Sequence, residues 1–335
     1  MVVKGTVTIK DIARESGIST ATVSRVLNNS GYASDEVKEK VLAAAKKLNY
    51  QPNAIARSLK KHKTNTIGVI IPDISNTYFM KISKGIEDTV YKSGYTLLFG
   101  SGDENPEKEL KMLQVLFEQR VDAIVLATSG VNNEMIRIIR NANVPVILVD
   151  RTIDKIFEEF DCIVEDNVEG AYLLTNYLIE KGYKDIGVIN GSLDVSTGEE
   201  RYHGYKRALH DNHLAEKAAL VYNGHFTKED GIRAVDYFLS LKQKPQAILS
   251  FNNAMTFGVL LRLAQKGYRV PDDFVIASYG EVEAAQLLPA SKIITIEQSP
   301  YEMGKCAGEI LLDRLEKEIK GPAHKMFSPK LRIMA

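Results

Sequence analysis

Between residues 66 and 297 the chain alternates short aliphatic runs with longer helical stretches. No other feature restricts its fold so strongly. The runs are TIGVIIPD, YTLLFG, AIVLAT, PVILVD, DIGVIN, AILSF, VIASY and ITIEQ. Continuous β-branched runs of this length form strands buried on both faces, as in parallel sheets. Stretches such as MKISKGIEDTVYKSG and EGAYLLTNYLIEKG supply helices between them, the alternation expected of an α/β fold. The order repeats, with Asp or Asn ending several strands, so two similar halves are expected, breaking near Cys162 to Asn167. Each half is an open doubly wound sheet with right-handed crossovers. Such sheets bind ligands at the carboxyl ends of their strands, here in the crevice between the halves.

The first sixty residues follow a different pattern. Thr8-Ile9-Lys10-Asp11 has the form of a capping box and starts a helix with Ile9, Ile12 and Ala13 on one face. Gly17 suits the left-handed turn that ends it. Ser19 caps a second helix, whose apolar residues are Val23, Val26 and Leu27. A third begins at Ser34, favoured by Asp35 and Glu36 near its positive end, with Val37, Val41, Leu42, Ala45 and Leu48 as its stripe. Pro52 is expected to stop it. Two helices joined by a tight turn make a helix-turn-helix, whose second helix enters the DNA major groove N-terminus first. Thr20 and Ala21 sit at that end, where short side chains let the backbone approach base edges. Ser19, Thr22 and Ser24 are placed to donate to phosphates, and Arg25 reaches either a base or a phosphate. Spacing alone leaves two readings, a DNA-reading helix or a solvated helix face.

Charge favours the first. Residues 1–63 hold 12 Lys and Arg against 5 Asp and Glu, a balance of +7 in a chain whose net charge is zero. A basic head on an acidic body is suited to meeting a polyanion. Asn53 can cap a short helix from Ala54 to Leu59. Leu59 has no core to enter and lies beside Arg57, Lys60 and Lys61, the setting of an apolar wedge for the minor groove. Without DNA, a basic linker is expected there instead.

TIKDIARESGISTATVSRVLNN, followed by KVLAAAKKLNYQPNAIARSLK, resembles the DNA-binding head and hinge of the lactose-repressor (LacI/GalR) family over residues 6–60. The resemblance implies that Thr20, Ala21 and Arg25 read the major groove. It implies that Thr8, Ser19, Thr22, Ser24, Asn28 and Asn53 hold the DNA backbone, with Leu59 as the minor-groove lever. Residues 66–329 resemble the periplasmic sugar-binding fold of the same family. The implied organisation is a helix-turn-helix head at 1–50, a hinge at 51–63 and an α/β body of two doubly wound lobes at 64–335. The N-lobe takes 64–162 plus 293–320, and the C-lobe 163–292 plus 321–335.

The same resemblance carries effector-binding positions onto the crevice. They are Asp73, Asn76, Tyr78 and Phe79 in PDISNTYF, Asp150 and Arg151 after PVILVD, Arg201 in GEERYHGY, Phe226 in NGHFTKEDG and Asn252 in SFNNAMTFG. Arg201 would grip a hydroxyl or carboxylate with its fork of donors, and Phe226 would stack on a flat ligand face. Departures stand beside these. Asn252-Asn253 replaces the usual Asn-Asp, His225 stands where an acid is common, and Gly280 replaces a ligand-binding Asp after Tyr279, which leaves Glu281 as the substitute carboxylate.

The expected protein is a homodimeric transcriptional regulator, with assembly into tetramers left open. It binds palindromic operator DNA and is switched by a sugar or related metabolite. A regulator of the same family answering to a phosphoprotein is the alternative, and would need a basic patch such as Lys81, Lys84, Arg314 and Lys317. An enzyme is the weaker class, since no G-x-S-x-G, P-loop, G-x-G-x-x-G or H-E-x-x-H motif occurs. His203, His210 and His213 lack a third ligand at metal spacing, so neither metal nor cofactor is expected. Cys162 and Cys306 read as buried reduced thiols. The first residues carry no apolar signal core, and no run reaches the ~18 apolar residues of a membrane span. A cytoplasmic location with the nucleoid is expected, and a secreted transport receptor is excluded.

Overall fold

The computed structural model describes residues 7–28, 30–50, 63–153, 157–287, 293–317 and 321–333. The expected hinge, including Asn53 and Leu59, lies outside them apart from Lys63. The chain divides into two compact units, Met1–Thr64 and Asn65–Ala335.

The first unit holds three helices, α1 (Ile9–Ser16), α2 (Thr20–Leu27) and α3 (Asp35–Lys47). Ile12, Val23, Val41 and Ala44 form its buried core. The Asp11 carboxylate accepts from the Thr8 amide at 2.9 Å and the Thr8 hydroxyl at 2.7 Å. These bonds hold its pKa below the usual range, the hydroxyl being the larger cause. Gly17 adopts φ 69° and turns the chain between α1 and α2, a conformation that favours glycine. Leu42 departs from expectation and is 55% exposed. It lies about 100° round the helix from Val41, and Ala44 fills the core instead. The third helix also ends before Pro52, at Leu48, with Asn49 left-handed at φ 47°.

The second unit contains two six-stranded sheets. The first half runs β1 (Thr66–Ile71), α4 (Thr77–Val90), β2 (Thr96–Ser101), α5 (Pro106–Glu118), β3 (Ala123–Leu126), α6 (Asn133–Asn141), β4 (Val146–Val149) and β5 (Asp161–Glu165). The second runs α7 (Asn167–Glu180), β6 (Ile186–Asn190), α8 (Ser196–Asp211), β7 (Val221–Asn223), α9 (Lys228–Ser240), β8 (Ala247–Ser250), α10 (Asn253–Gln265), β9 (Val275–Tyr279) and β10 (Ile294–Glu297). Helix α11 (Pro300–Glu316) and strands β11 (His324–Phe327) and β12 (Lys330–Ile333) follow. The sheet orders are β11-β5-β4-β3-β1-β2 and β12-β10-β9-β8-β6-β7. Leaving out β11 and β12, both wind in the same order, which is the internal repeat. All neighbours are parallel except the β10–β12 pair.

The lobe boundaries differ from those expected. All of β5 pairs within the first sheet, β10 belongs to the second and β11 to the first. The chain therefore crosses at Asp166, at Gln298–Ser299 and between Phe327 and Lys330. The run DCIVE, read as a break, is a strand held between β4 and β11.

The first sheet's inner strands are covered on both faces, as their aliphatic runs require, whereas the edge run in β2 is not, with Leu98 42% and Phe99 44% exposed. Ile67, Val69 and Ile71 pack on α4 and α11, whereas Ile70, Ile124 and Leu126 face α5 and α6, the period-two alternation of a pleated strand. Glycines set the closest helix contacts. A Cβ on Gly304 of α11 would lie 1.9 Å from the Ile82 carbonyl of α4, and one on Gly85 2.2 Å from the Tyr301 carbonyl. Gly231 of α9 and Gly258 of α10 repeat the device, each 2.0 Å from a facing carbonyl. Cys162 is buried and Cys306 half-buried, both as reduced thiols. Burial and Asp161 push the Cys162 thiol up to about 12. Among the described residues no helix is long and apolar enough to cross a membrane. Nor does any group of three or more His, Cys, Asp or Glu stand ready to hold a metal.

Backbone-to-backbone packing cannot admit a methyl group without separating the helices. Gly304→Ala is therefore expected to destabilise the body by about 1–3 kcal/mol, read as a lower denaturant midpoint. An unchanged midpoint would remove the close-packing argument.

Candidate DNA-reading helix and ligand cleft

Helix α2 docks through Val23, which is fully buried, and turns Thr20, Ala21 and Arg25 outward to solvent. Ser19 caps the helix, accepting from the Thr22 amide at 3.3 Å, and its hydroxyl lies 3.0 Å from that of Thr22. Asn28 donates to the Ser24 carbonyl at 2.8 Å and to its hydroxyl at 3.2 Å. Of the residues expected on the DNA backbone, Ser19, Thr22, Ser24 and Asn28 thus bond one another in pairs, and Thr8 bonds Asp11. Thr20, Ala21 and Arg25 form the open face.

In the second unit, all ten positions expected to contact an effector line one cavity of about 630 Å³. It lies where the carboxyl ends of both sheets face each other. Their surroundings differ widely. Arg201 is 5% exposed, donates through Nε to Asn167 at 2.8 Å and through Nη1 to the Phe251 carbonyl at 2.7 Å, and lies 3.9 Å above the Tyr279 ring. The Tyr78 hydroxyl donates to Asp150 at 2.8 Å. Burial first, then the carboxylates, raise the Tyr78 hydroxyl well above its ordinary pKa, so it stays a donor.

Several expected contacts are occupied by the protein itself. Arg151 gives its fork to Glu104 at 2.7 and 2.6 Å and stands 5.1 Å from the Phe226 ring centre. That ring is 7% exposed, so in this state Arg151 is its partner rather than a ligand. Phe226 adopts φ 64°, and Gly191 leaves room for it, since a Cβ there would sit 2.0 Å from the ring. Asn252 caps α10 through the Met255 amide at 2.7 Å and donates to the Phe226 carbonyl at 2.9 Å. Asp73 accepts from the Ser75 amide and hydroxyl, both at 2.7 Å. Phe79 belongs largely to the first lobe's core. Glu281 is half-buried and lies 4.0 Å from Arg332.

The departures acquire physical meaning here. Gly280 has φ 97°, and a Cβ would lie 2.6 Å from Gln298 Oε1. An aspartate there would be strained by the left-handed backbone, and Gln298 would have to swing aside. Asn253 exchanges two amide hydrogen bonds with Asn76 across the cleft, at 2.9 and 3.1 Å. A carboxylate at 253 could supply only the acceptor half. Lys81–Glu283 at 3.1 Å, and the Thr152 amide on Ser196 Oγ at 3.0 Å, also join the lobes.

Two residues absent from the expected set support the site, Thr197 in the wall and Glu165 behind it, bonded to the wall residues Tyr279 and Gln298. Glu165 ends β5 and accepts the Tyr279 hydroxyl at 3.0 Å and the Gln298 amide at 2.9 Å, both on Oε2. Thr197 lines the cavity one helical turn before Arg201, so i,i+4 spacing in STGEER was the signal that pointed to it. The basic patch required by a phosphoprotein partner is neutralised. Lys84 bonds Glu87 and Asp88, Lys81 bonds Glu283, Arg314 bonds Asp161 and Lys317 bonds Asp313.

Comparison with known proteins agrees with this architecture. A family model described as bacterial regulatory proteins, lacI family, matches residues 8–53. One described as periplasmic binding proteins and sugar binding domain of LacI family matches residues 64–325. The HTH-type transcriptional repressor PurR of Vibrio atlanticus (strain LGP32) is 35% identical over 310 residues, 92% of each chain. A structure of a CelR–cellobiose complex, a transcriptional regulator, superposes with a TM-score of 0.73 at 25% identity, covering 97% of this chain and 98% of that one. A LacI-family regulator from Silicibacter pomeroyi superposes with a TM-score of 0.80 at 28% identity, covering 98% of both chains.

Glu165 yields a pH prediction. Burial, the dominant effect, raises its pKa above the ordinary carboxylate range. The folded state then binds a proton that the unfolded state has released, so this group's contribution to stability falls as pH rises from the ordinary range through the raised value. Glu165→Gln, which cannot ionise, should lose less stability than the parent as pH rises out of the ordinary carboxylate range. Parallel stability–pH curves from denaturant titration would contradict this.

Proposed function

Since this chain belongs to the LacI family of bacterial regulatory proteins, as a DNA-binding transcriptional repressor and not an enzyme, we propose that it binds a near-palindromic operator as a homodimer and is switched by a small molecule in the interlobe cleft. The observation that carries the DNA reading is the open face of α2. Thr20, Ala21 and Arg25 are solvent-facing while Val23 anchors the helix. On this reading Thr20 and Ala21 meet base edges, Arg25 reaches a base or phosphate, and Ser19, Thr22 and the first-turn amides meet phosphates. Two heads in successive major grooves set half-site centres about one helical turn apart. Leu59 enters the minor groove at the central step.

The cleft supports an effector with hydrogen-bonding groups, a sugar or related metabolite. Arg201, Tyr78 and Asp150 are its polar contacts. The CelR structure, with cellobiose bound, is consistent with this class. Effector and operator are coupled reciprocally, typically by about 1–3 kcal/mol. The chain acts in the cytoplasm, where the operator is. A phosphoprotein partner is disfavoured because each lysine and arginine that would greet it already has a carboxylate.

Selection from randomised duplexes by the full chain tests the DNA reading. An inverted-repeat consensus is expected, and its absence would overturn it. Replacing Thr20 and Ala21 together should change the preferred half-site bases, whereas a uniform loss on all sequences would argue that they only hold the backbone. Leu59→Ala should lower operator affinity and reduce bending measured by fluorescence transfer between duplex ends. Bending equal to that of the parent would remove the lever.

A further inference from the structure

We infer that the chain carries a second small-molecule site beside the cleft, and that this site takes a small zwitterion of the α-amino-acid class. A separate cavity of about 240 Å³ opens where the first turns of α4 and α11 meet β10 and β12. Tyr78, Asn253 and Gln298 line both cavities and so stand in the partition between them. Thr295, Glu297, Arg332 and the start of α11 line the second cavity and not the cleft. Thr295 is 2% exposed, yet its hydroxyl has no partner among the described residues. It stands in one row across the sheet, between Ser278 of β9 and Arg332 of β12. The Ser278 hydroxyl is satisfied by the Gly280 carbonyl and by Thr256, each at 2.8 Å, whereas that of Thr295 is left to the cavity. A buried hydroxyl without a partner is costly unless something arrives to bond it. Helix α11 opens with Ser299-Pro300-Tyr301-Glu302, a capping-box sequence. Ser299 nevertheless makes no cap bond, and Glu302 lies 3.7 Å from Lys305 instead. The Tyr301 and Glu302 amides have no acceptor among the described residues, and both residues line the cavity.

The charges of the wall decide the class of ligand. The amides at the positive end of α11, the Thr295 hydroxyl and Arg332, which is held only at 4.0 Å by Glu281, are donors suited to a carboxylate. A plain anion would also meet Glu281, Glu297 and Glu302, which outnumber Lys81 and Arg332, and Lys81 is already committed to Glu283 at 3.1 Å. Glu297 lies two residues along β10 from Thr295, hence on the same face, and has no cation within ion-pair distance among the described residues. It supplies the counter-charge for an ammonium. A ligand with both groups on one carbon satisfies both halves of the wall. It would also tie β10 and β12 of the second lobe to α11 of the first, and so favour one arrangement of the lobes.

Melting curves of the full chain with each of the standard L-amino acids at millimolar concentration, followed by calorimetry on those that raise the melting temperature, test this. At least one should bind. The amine that lacks its carboxylate and the acid that lacks its amine should each bind about ten-fold more weakly or worse. Thr295→Val, which keeps the shape and removes the hydroxyl, and Glu297→Gln, a surface change that leaves the fold alone, should each weaken binding by about ten-fold. Should Thr295→Val fail to fold, Glu297→Gln decides. Three results overturn the inference: no L-amino acid binds, a bare amine or bare acid binds as tightly as the amino acid, or the variants bind as the parent does, which would put the ligand elsewhere on the chain. None of the three bears on the cleft as effector site, since neither Thr295 nor Glu297 lines it.

Discussion

Parallel strands have unequal ends, and the body of this protein depends on that constraint. Apart from β12, the carboxyl ends within each sheet point one way, so the helices that follow them start on the same side. Two such edges face each other, and the chain passes between them three times. The cavity therefore gathers strand ends, helix N-termini and caps from both halves without any single loop being long. Glu165 lies at one of these passages, and its carboxyl is bonded by Gln298 at a second and by Tyr279 at the carboxyl end of β9.

Local pattern suffices where the local signal is strong. The capping box at Thr8, the left-handed Gly17 and the cap at Ser19 take the form their residues predict, and every long aliphatic run becomes a strand, although β2 at the sheet edge is exposed rather than buried on both faces. The elements that escaped were short or lay at sheet edges. Strands β7, β11 and β12 have three or four residues with little burial, so they carry no hydrophobic period to read. DCIVE stands at the expected break between the halves, and pairing with β4 on one side and with β11, from far along the chain, on the other makes it a strand of the first sheet. Leu42 shows the limit of a stripe, since a leucine at the edge of an apolar face need not be inside it.

The cleft was legible as a set of positions rather than as a set of roles. Family likeness brought ten residues to one cavity, but their bonds depend on distant partners. Arg151 belongs to Glu104, 47 residues away, and Asn253 to Asn76, 177 residues away. No spacing rule joins such pairs. Thr197 could have been found, because it stands one turn from Arg201 on the same helix.

The glycine contact between α4 and α11 has a mechanical meaning. Soft side-chain packing allows helices to slide, but carbonyls seated against glycine Cα atoms do not. Helix α4 carries Asn76 at its cap and runs 14 residues to Val90, a length of about 21 Å at the α-helical rise. Clamped along that length, it is a stiff push rod. A displacement at the mouth of the cavity is delivered to the far end of the lobe as translation rather than absorbed by repacking.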